Sequence, residues 1–250
     1  MIASLMMYAR PETDAALTRY WALIRQALAG YGIAAPATLS NDADEFAVWN
    51  APDLVLSQTC GMPYRLWLQD RVTLVGTPDF GLSDCPPGHY RSAFVVRADD
   101  PRQTLVDFAD ARFVFNQTFS QSGYAAPHAA ARARGFWFHT RAQSHGHVAS
   151  ARAVAMGQSD IAALDAVTWR LMQRHDAFAN DLRVLEWTPP TPGLPYICAR
   201  GIDGAQVFEC VTAAISALSQ ADRQALGLTG IVKIPKADYL AIANPPKEDR

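Results

Sequence analysis

Asn116-Gln117-Thr118-Phe119-Ser120-Gln121-Ser122-Gly123-Tyr124 separates the apolar run Arg112 to Phe115 from the alanine-rich stretch Tyr124 to Arg134. The run is the right length for a buried strand and the stretch has helical composition, so the nine residues between them mark a strand-to-helix junction. Ser120 or Ser122 can cap the helix. The amides of its first turn, with the positive end of the helix dipole, form a site for an oxyanion. The same residues read equally as a plain cap and turn. A nucleophilic serine would need G-x-S-x-G, and Phe119 or Gln121 stands where the first glycine belongs, so hydrolase chemistry is not expected.

Two further junctions of this kind follow. Ser144-His145-Gly146-His147-Val148-Ala149-Ser150 leads into a helix over 148–156, and Ile161 to Leu164 is a strand ending on Asp165, ahead of a helix over 166–174. Two histidines one residue apart can ligate a metal, but no Cys, Asp or Glu lies near in sequence to complete a set. A histidine at a helix start can instead donate to a ligand oxygen. Asp165 reads locally as an N-cap. Small polar side chains thus recur at strand carboxyl ends, the edge of an open α/β sheet where ligands bind.

Further strands are expected at 136–140 and 184–187, and upstream at 2–7, 53–57, 71–75 and 90–96. Leu17, Trp21, Ile24 and Leu28 form one face of a helix that stops at Gly30 and Gly32, and Trp21 and Trp49 read as core. Beyond Thr188-Pro189-Pro190-Thr191-Pro192-Gly193, the most proline-dense loop, come a strand at 196–199, a helix at 206–218, a strand at 231–234 and a closing helix. The pattern predicts an α/β protein of two lobes, each a mostly parallel sheet flanked by helices. Residues 1–92 plus 194–250 form the first lobe and 93–193 the second, with two hinge crossings and a ligand cleft between lobes.

Half of the 250 residues are hydrophobic, 18% are charged and the net charge is -2, which argues against disorder and against nucleic-acid binding. No stretch is long and apolar enough to span a bilayer, so the chain is not expected to be membrane-embedded. The first residues do not read as a signal peptide, which favours a cytoplasmic place. Cys60, Cys85, Cys198 and Cys210 lack zinc-finger spacing; free thiols are expected, with a Cys60–Cys85 disulfide as the alternative for an exported protein. No cofactor is called for.

Taken in order, several segments resemble the PhnD-like phosphate/phosphite/phosphonate solute-binding proteins of ABC transporters, which have the type 2 periplasmic-binding-protein fold. They are Met7-Tyr8, Gln58-Thr59-Cys60-Gly61, Tyr90-Arg91-Ser92, Asn116 with Ser120-Gln121-Ser122-Gly123-Tyr124, His147-Val148-Ala149-Ser150, Asp160 with Ala163-Leu164-Asp165, and Leu194-Pro195-Tyr196. The resemblance implies a binding protein, not an enzyme. Ser120, Gln121 and Ser122 would hold a small oxyanion, His147 and Asp165 would complete the second lobe's side, and Tyr8, Thr59 and Tyr90 would face the ligand from the first. It further implies a periplasmic location, an ABC permease as partner and a monomer. Gly146 stands where relatives often carry a serine. A cytoplasmic sensor or carrier of a small organic metabolite, such as a cofactor precursor, is the alternative on the same fold.

Overall fold

The computed structural model describes residues 1–249; Arg250, the last residue of the expected first lobe, lies outside the described residues. The strands in chain order are β1 (Ile2–Ser4), β2 (Leu54–Gln58), β3 (Val72–Asp79), β4 (His89–Tyr90), β5 (Ser92–Arg97) and β6 (Phe113–Phe115). They continue as β7 (Arg141–Gln143), β8 (Ile161–Asp165), β9 (Leu182–Trp187), β10 (Thr191–Pro192), β11 (Tyr196–Ala199) and β12 (Gly230–Val232). The chain divides into two compact units: Met1–His89 with Pro192–Ala241, and Tyr90–Thr191 with Ile242 onward.

The first unit is built on a sheet of order β1-β2-β11-β3-β12. β1 and β2 run parallel, and β3 points the same way because β11 lies antiparallel between β2 and β3. Every residue of β2 is buried. Side chains alternate across the sheet: Tyr196 and Cys198 of β11 enter one apolar cluster, Ile197 and Ala199 the other. The helix Asp14–Gly30 buries Leu17, Tyr20, Trp21, Ile24 and Leu28, the stripe its spacing predicts. Each such side chain contributes about 1.5–3 kcal/mol. Trp49, also expected in the core, is buried at the end of the helix Glu45–Trp49, and its indole Nε1 donates to the Gln58 carbonyl at 3.1 Å.

The second unit has the sheet order β7-β6-β8-β5-β9. β7, β6 and β8 are parallel; β5 is antiparallel to both β8 and β9, so four strands share a direction and one opposes it. Phe94, Val96, Phe113, Phe115, Ile161 and Ala163 face one cluster and Ala93, Val95, Val114, Ala162 and Leu164 the other, a period of two on three neighbouring strands. Helices His147–Ala155 and Ala166–His175 supply Ala151, Val154, Trp169 and Met172 to the second of these faces.

Three expectations are corrected. Residues 136–140 form no strand. Phe138 stacks on Phe113, ring centroids 4.6 Å apart and planes within 9°, with Trp137 beside it, so these aromatics lie on the sheet instead of in it and the strand comes later, at β7. Residues 2–7 form a strand only to Ser4, giving way to a 3-10 turn at Met6–Tyr8. The last segment, from Ile242, does not stay with the first unit: it groups with the second, where His128 and Arg132 both bond Asp249, so the chain passes between units three times.

Candidate functional site

In the second unit the carboxyl ends of β6, β7 and β8 and the amino end of β5 share one sheet edge, since Ser92 is in register with Asp165. Of the five site residues expected in this unit, Ser120, Gln121, Ser122 and His147 follow strands ending at this edge and Asp165 is the last residue of β8; Tyr90, expected in the first lobe, falls in this unit just ahead of β5. Beyond Phe115 the chain turns into a π-helical turn, Gln121–Ala125, which continues as the helix Ala126–Arg132. Ser120 caps it: its Oγ accepts the Gly123 amide at 3.0 Å, while its carbonyl takes the amides of Tyr124 and Ala125. The Ser122 N–H stays outside the turn's own bonding. Ser120, Gln121 and Ser122 are all buried.

Ser122 Oγ lies 3.1 Å from His147 Nε2, and Asn116 Nδ2 lies 3.5 Å from the same nitrogen. The ring is half-buried at the start of its helix, with Nδ1 sealed from solvent. Burial pushes its pKa down to about 4, opposed by the backbone of Ala163, so the imidazole is neutral at pH 7. Gly123 is required where it stands, because a Cβ there would come within 1.9 Å of Asn116 Oδ1. Sequence reasoning gave Asn116 no side-chain role. Only the packing of its carboxamide against Gly123 discloses it, although both belong to the stretch that decided the fold.

Asp165 performs the capping role that its local sequence suggested, Oδ1 accepting the amides of Val167 at 2.7 Å and Thr168 at 3.1 Å. Tyr90 is buried in β4. His145, which the resemblance does not include, is exposed with φ +66°, and its Nδ1 contacts Gln143. Among the described residues no three His, Cys, Asp or Glu side chains gather as a metal-binding group.

The remaining candidates, Tyr8 and Thr59, belong to the first unit and follow the parallel strands β1 and β2. Tyr8 meets Phe80 edge-to-face at 5.0 Å. Thr59 is fully buried; its amide donates to the Pro195 carbonyl at 3.0 Å and its hydroxyl to the Cys60 carbonyl at 3.4 Å. Within this unit both stand at the edge formed by the ends of β1 and β2. Cys60, Cys85, Cys198 and Cys210 are free thiols.

The family described as "ABC transporter, phosphonate, periplasmic substrate-binding protein" matches residues 69–239 of this sequence. The chain belongs to that family. It is a solute-binding component of ABC-type uptake with a two-lobe periplasmic-binding-protein fold. PhnD1 from Prochlorococcus marinus, solved with methylphosphonate, is similar at 15% identity and a TM-score of 0.71, covering 96% of this chain and 94% of that one. A binding protein component of an ABC phosphonate transporter from Pseudomonas aeruginosa gives 17% and 0.68 over 96% and 82%. XAC2383 from Xanthomonas citri, solved with ATP, gives 16% and 0.69 over 95% and 91%. No curated protein matches the sequence. The family is one of transporter components and not of enzymes. No helix among the described residues is long and apolar enough to cross a membrane.

Proposed function

We propose that the polar sheet edge of the second unit binds a small phosphorus oxyanion of the phosphonate or phosphate type. One observation carries the reading: a neutral, half-buried His147 shares a hydrogen bond with Ser122, whose amide is left over by the capped turn. Two neutral donors and a helix terminus suit a singly charged oxyanion without any lysine, each hydrogen bond adding on the order of 1 kcal/mol, more when charge-assisted. In this reading Gln121 and Ser120 shape the turn, and Asp165 accepts a protonated ligand oxygen or a ligand amine. Tyr8, Thr59 and Tyr90 add further contacts to the ligand. The protein works in the periplasm as a monomer and hands its ligand to a permease. The methylphosphonate bound to PhnD1 supports this ligand class.

Isothermal titration with methylphosphonate, inorganic phosphate and sulfate tests the proposal. The expected result is 1:1 binding of at least one phosphorus oxyanion, without turnover, weakened by about 1–3 kcal/mol in Ser122→Ala and in Asp165→Asn. Wild-type affinity in both variants would place the ligand elsewhere.

A further inference from the structure

Asn116 directly follows β6, and its carboxamide lies between two neighbours that make opposite demands on it. Oδ1 is sealed from solvent and, among the described residues, meets no N–H or O–H. It faces Gly123 instead: a Cβ there would stand 1.9 Å from Oδ1, and the glycine carries a hydrogen in that direction. A carbonyl oxygen accepts such a C–H weakly. The amino end of the carboxamide, with hydrogens of its own, would collide with it. Gly123 therefore fixes which way the Asn116 side chain is turned.

The amino end is thereby aimed at His147, with Nδ2 3.5 Å from Nε2. An amide nitrogen only donates, so Nε2 must present a lone pair; a hydrogen on it would face those of Nδ2. Ser122 Oγ, 3.1 Å from the same nitrogen, fits either state, because a hydroxyl donates or accepts. The ring is neutral and has one N–H to place, which falls to Nδ1. That nitrogen is sealed from solvent, and the backbone of Ala163 in β8 favours a proton on the ring. Both sides of the imidazole thus call for the same tautomer.

We infer that Asn116 is a positioning residue that holds His147 as the Nδ1–H tautomer, so that Nε2 offers the ligand a lone pair and the site selects oxyanions that carry a hydrogen over those that carry none. At 3.5 Å the Asn116 contact orients the ring without filling that lone pair. A hydrogen-bearing ligand oxygen donates to Nε2, and the amide and hydroxyl of Ser122 serve the bare oxygens. Inorganic phosphate keeps at least one O–H at neutral pH, whereas sulfate has none. A sulfate oxygen set against the same nitrogen meets lone pair with lone pair and no hydrogen to bridge them. The inference rests on the binding site of the proposed function and adds the protonation state of its ligand.

Nitrogen NMR of isotope-labelled histidine in the ligand-free protein reads the tautomer directly, and His147→Gln identifies the signal among the six histidines. The expected state is Nδ1–H in the wild type and Nε2–H in Asn116→Asp, which keeps the shape of the side chain and replaces its donor by an acceptor. Calorimetry at pH 7 is expected to show inorganic phosphate bound at least about tenfold more tightly than sulfate by the wild type, and a ratio below about threefold in Asn116→Asp. The added charge of that variant repels sulfate at least as strongly as phosphate, so it works against the expected fall. A wild-type ring protonated at Nε2 would overturn the inference without any variant having to fold. An Nδ1–H ring that persists in Asn116→Asp would remove the role of Asn116, and an unchanged ratio would remove the selection. A wild type that binds neither phosphate nor methylphosphonate would overturn the ligand assignment instead, leaving the ligand-free spectra to judge Asn116 by themselves.

Discussion

Each unit contains one strand-to-helix junction that passes through a π turn, and the two are built to different ends. In the first unit β2 leads through Thr59 and Cys60 to a short helical turn, Gly61–Pro63, and a π turn, Tyr64–Leu68, with no side-chain cap at Cys60. It is tied instead to the segment just ahead of β11, through the Thr59 amide on the Pro195 carbonyl and the Gln58 side-chain amide on the Leu194 carbonyl at 3.1 Å. In the second unit Ser120 caps the turn from within, and the freed polar groups gather around His147. The first junction spends its polar groups on holding the fold; in the proposed function the second leaves them for a ligand. That contrast is what the oxyanion reading needs, and substitutions on either side can break it.

The largest effect is expected at Gly123. In Gly123→Val the new side chain runs into Asn116 Oδ1, which a Cβ alone would approach to 1.9 Å, and also crowds His147 Cε1 at 3.2 Å. Overpacking of this kind costs about 3 kcal/mol, and because it spreads Asn116, Ser122 and His147 apart, binding should be lost as well. Chemical denaturation and calorimetry check both. If Gly123→Val keeps ligand affinity, the tight second junction is not the site.

His147 gives the next effect. Its pKa is depressed to about 4 in the folded protein against about 6.5 unfolded, so below 6.5 the unfolded chain takes up the proton first. The stabilisation is fully present above about pH 6.5 and is lost as the pH falls toward 4, amounting to about 2–3 kcal/mol across that window. Urea unfolding at pH 7 and pH 4.5 should show a smaller drop in His147→Gln than in the wild type. No histidine lies between Gln58 and Leu68, so substitutions in the first junction should leave this pH dependence untouched.

A direct comparison of hydroxyls comes third. Ser122→Ala should weaken binding of the phosphorus oxyanion by about 1–3 kcal/mol. Thr59→Val, which removes a hydroxyl bonded at 3.4 Å to the neighbouring Cys60 carbonyl, should weaken it by no more than about half of that. Calorimetry on the two variants decides; an equal loss would mean that both junctions grip the ligand alike.

The sequence made the second junction legible because its signals are local. An apolar run, a capping serine and a glycine within nine residues specify strand, cap and turn without reference to the rest of the chain. Asp165 and His147 were legible for the same reason, each lying at the end of a short periodic segment. What escaped depends on contacts between distant parts. Phe136, Trp137 and Phe138 look like a strand, and only Phe113 beneath them makes a covering layer the better place for such large rings. The destination of the last residues is set by His128 and Arg132, more than a hundred positions away, and no periodicity encodes it. The reversed direction of β5 follows from the chain crossing and not from its composition, which is as apolar as that of β8.

The smallest effect is expected at Gly146, where the second unit departs from the resemblance that its other motifs support. Gly146 is the N-cap of the helix His147–Ala155, and no side chain caps that helix. Its φ of -169° is extended backbone that any residue adopts, and a Cβ there would meet nothing within 4 Å. Gly146→Ser therefore adds a capping oxygen at no steric cost, and the gain over glycine at such a position is only a few tenths of a kcal/mol, about 1–2 °C in melting temperature. Its value lies in where it acts. The new hydroxyl sits one residue before His147, so if the second junction is the one that holds the ligand, a serine there changes affinity for inorganic phosphate as well as stability, whereas a hydroxyl that serves only the helix raises the melting temperature and leaves the titration curve unmoved.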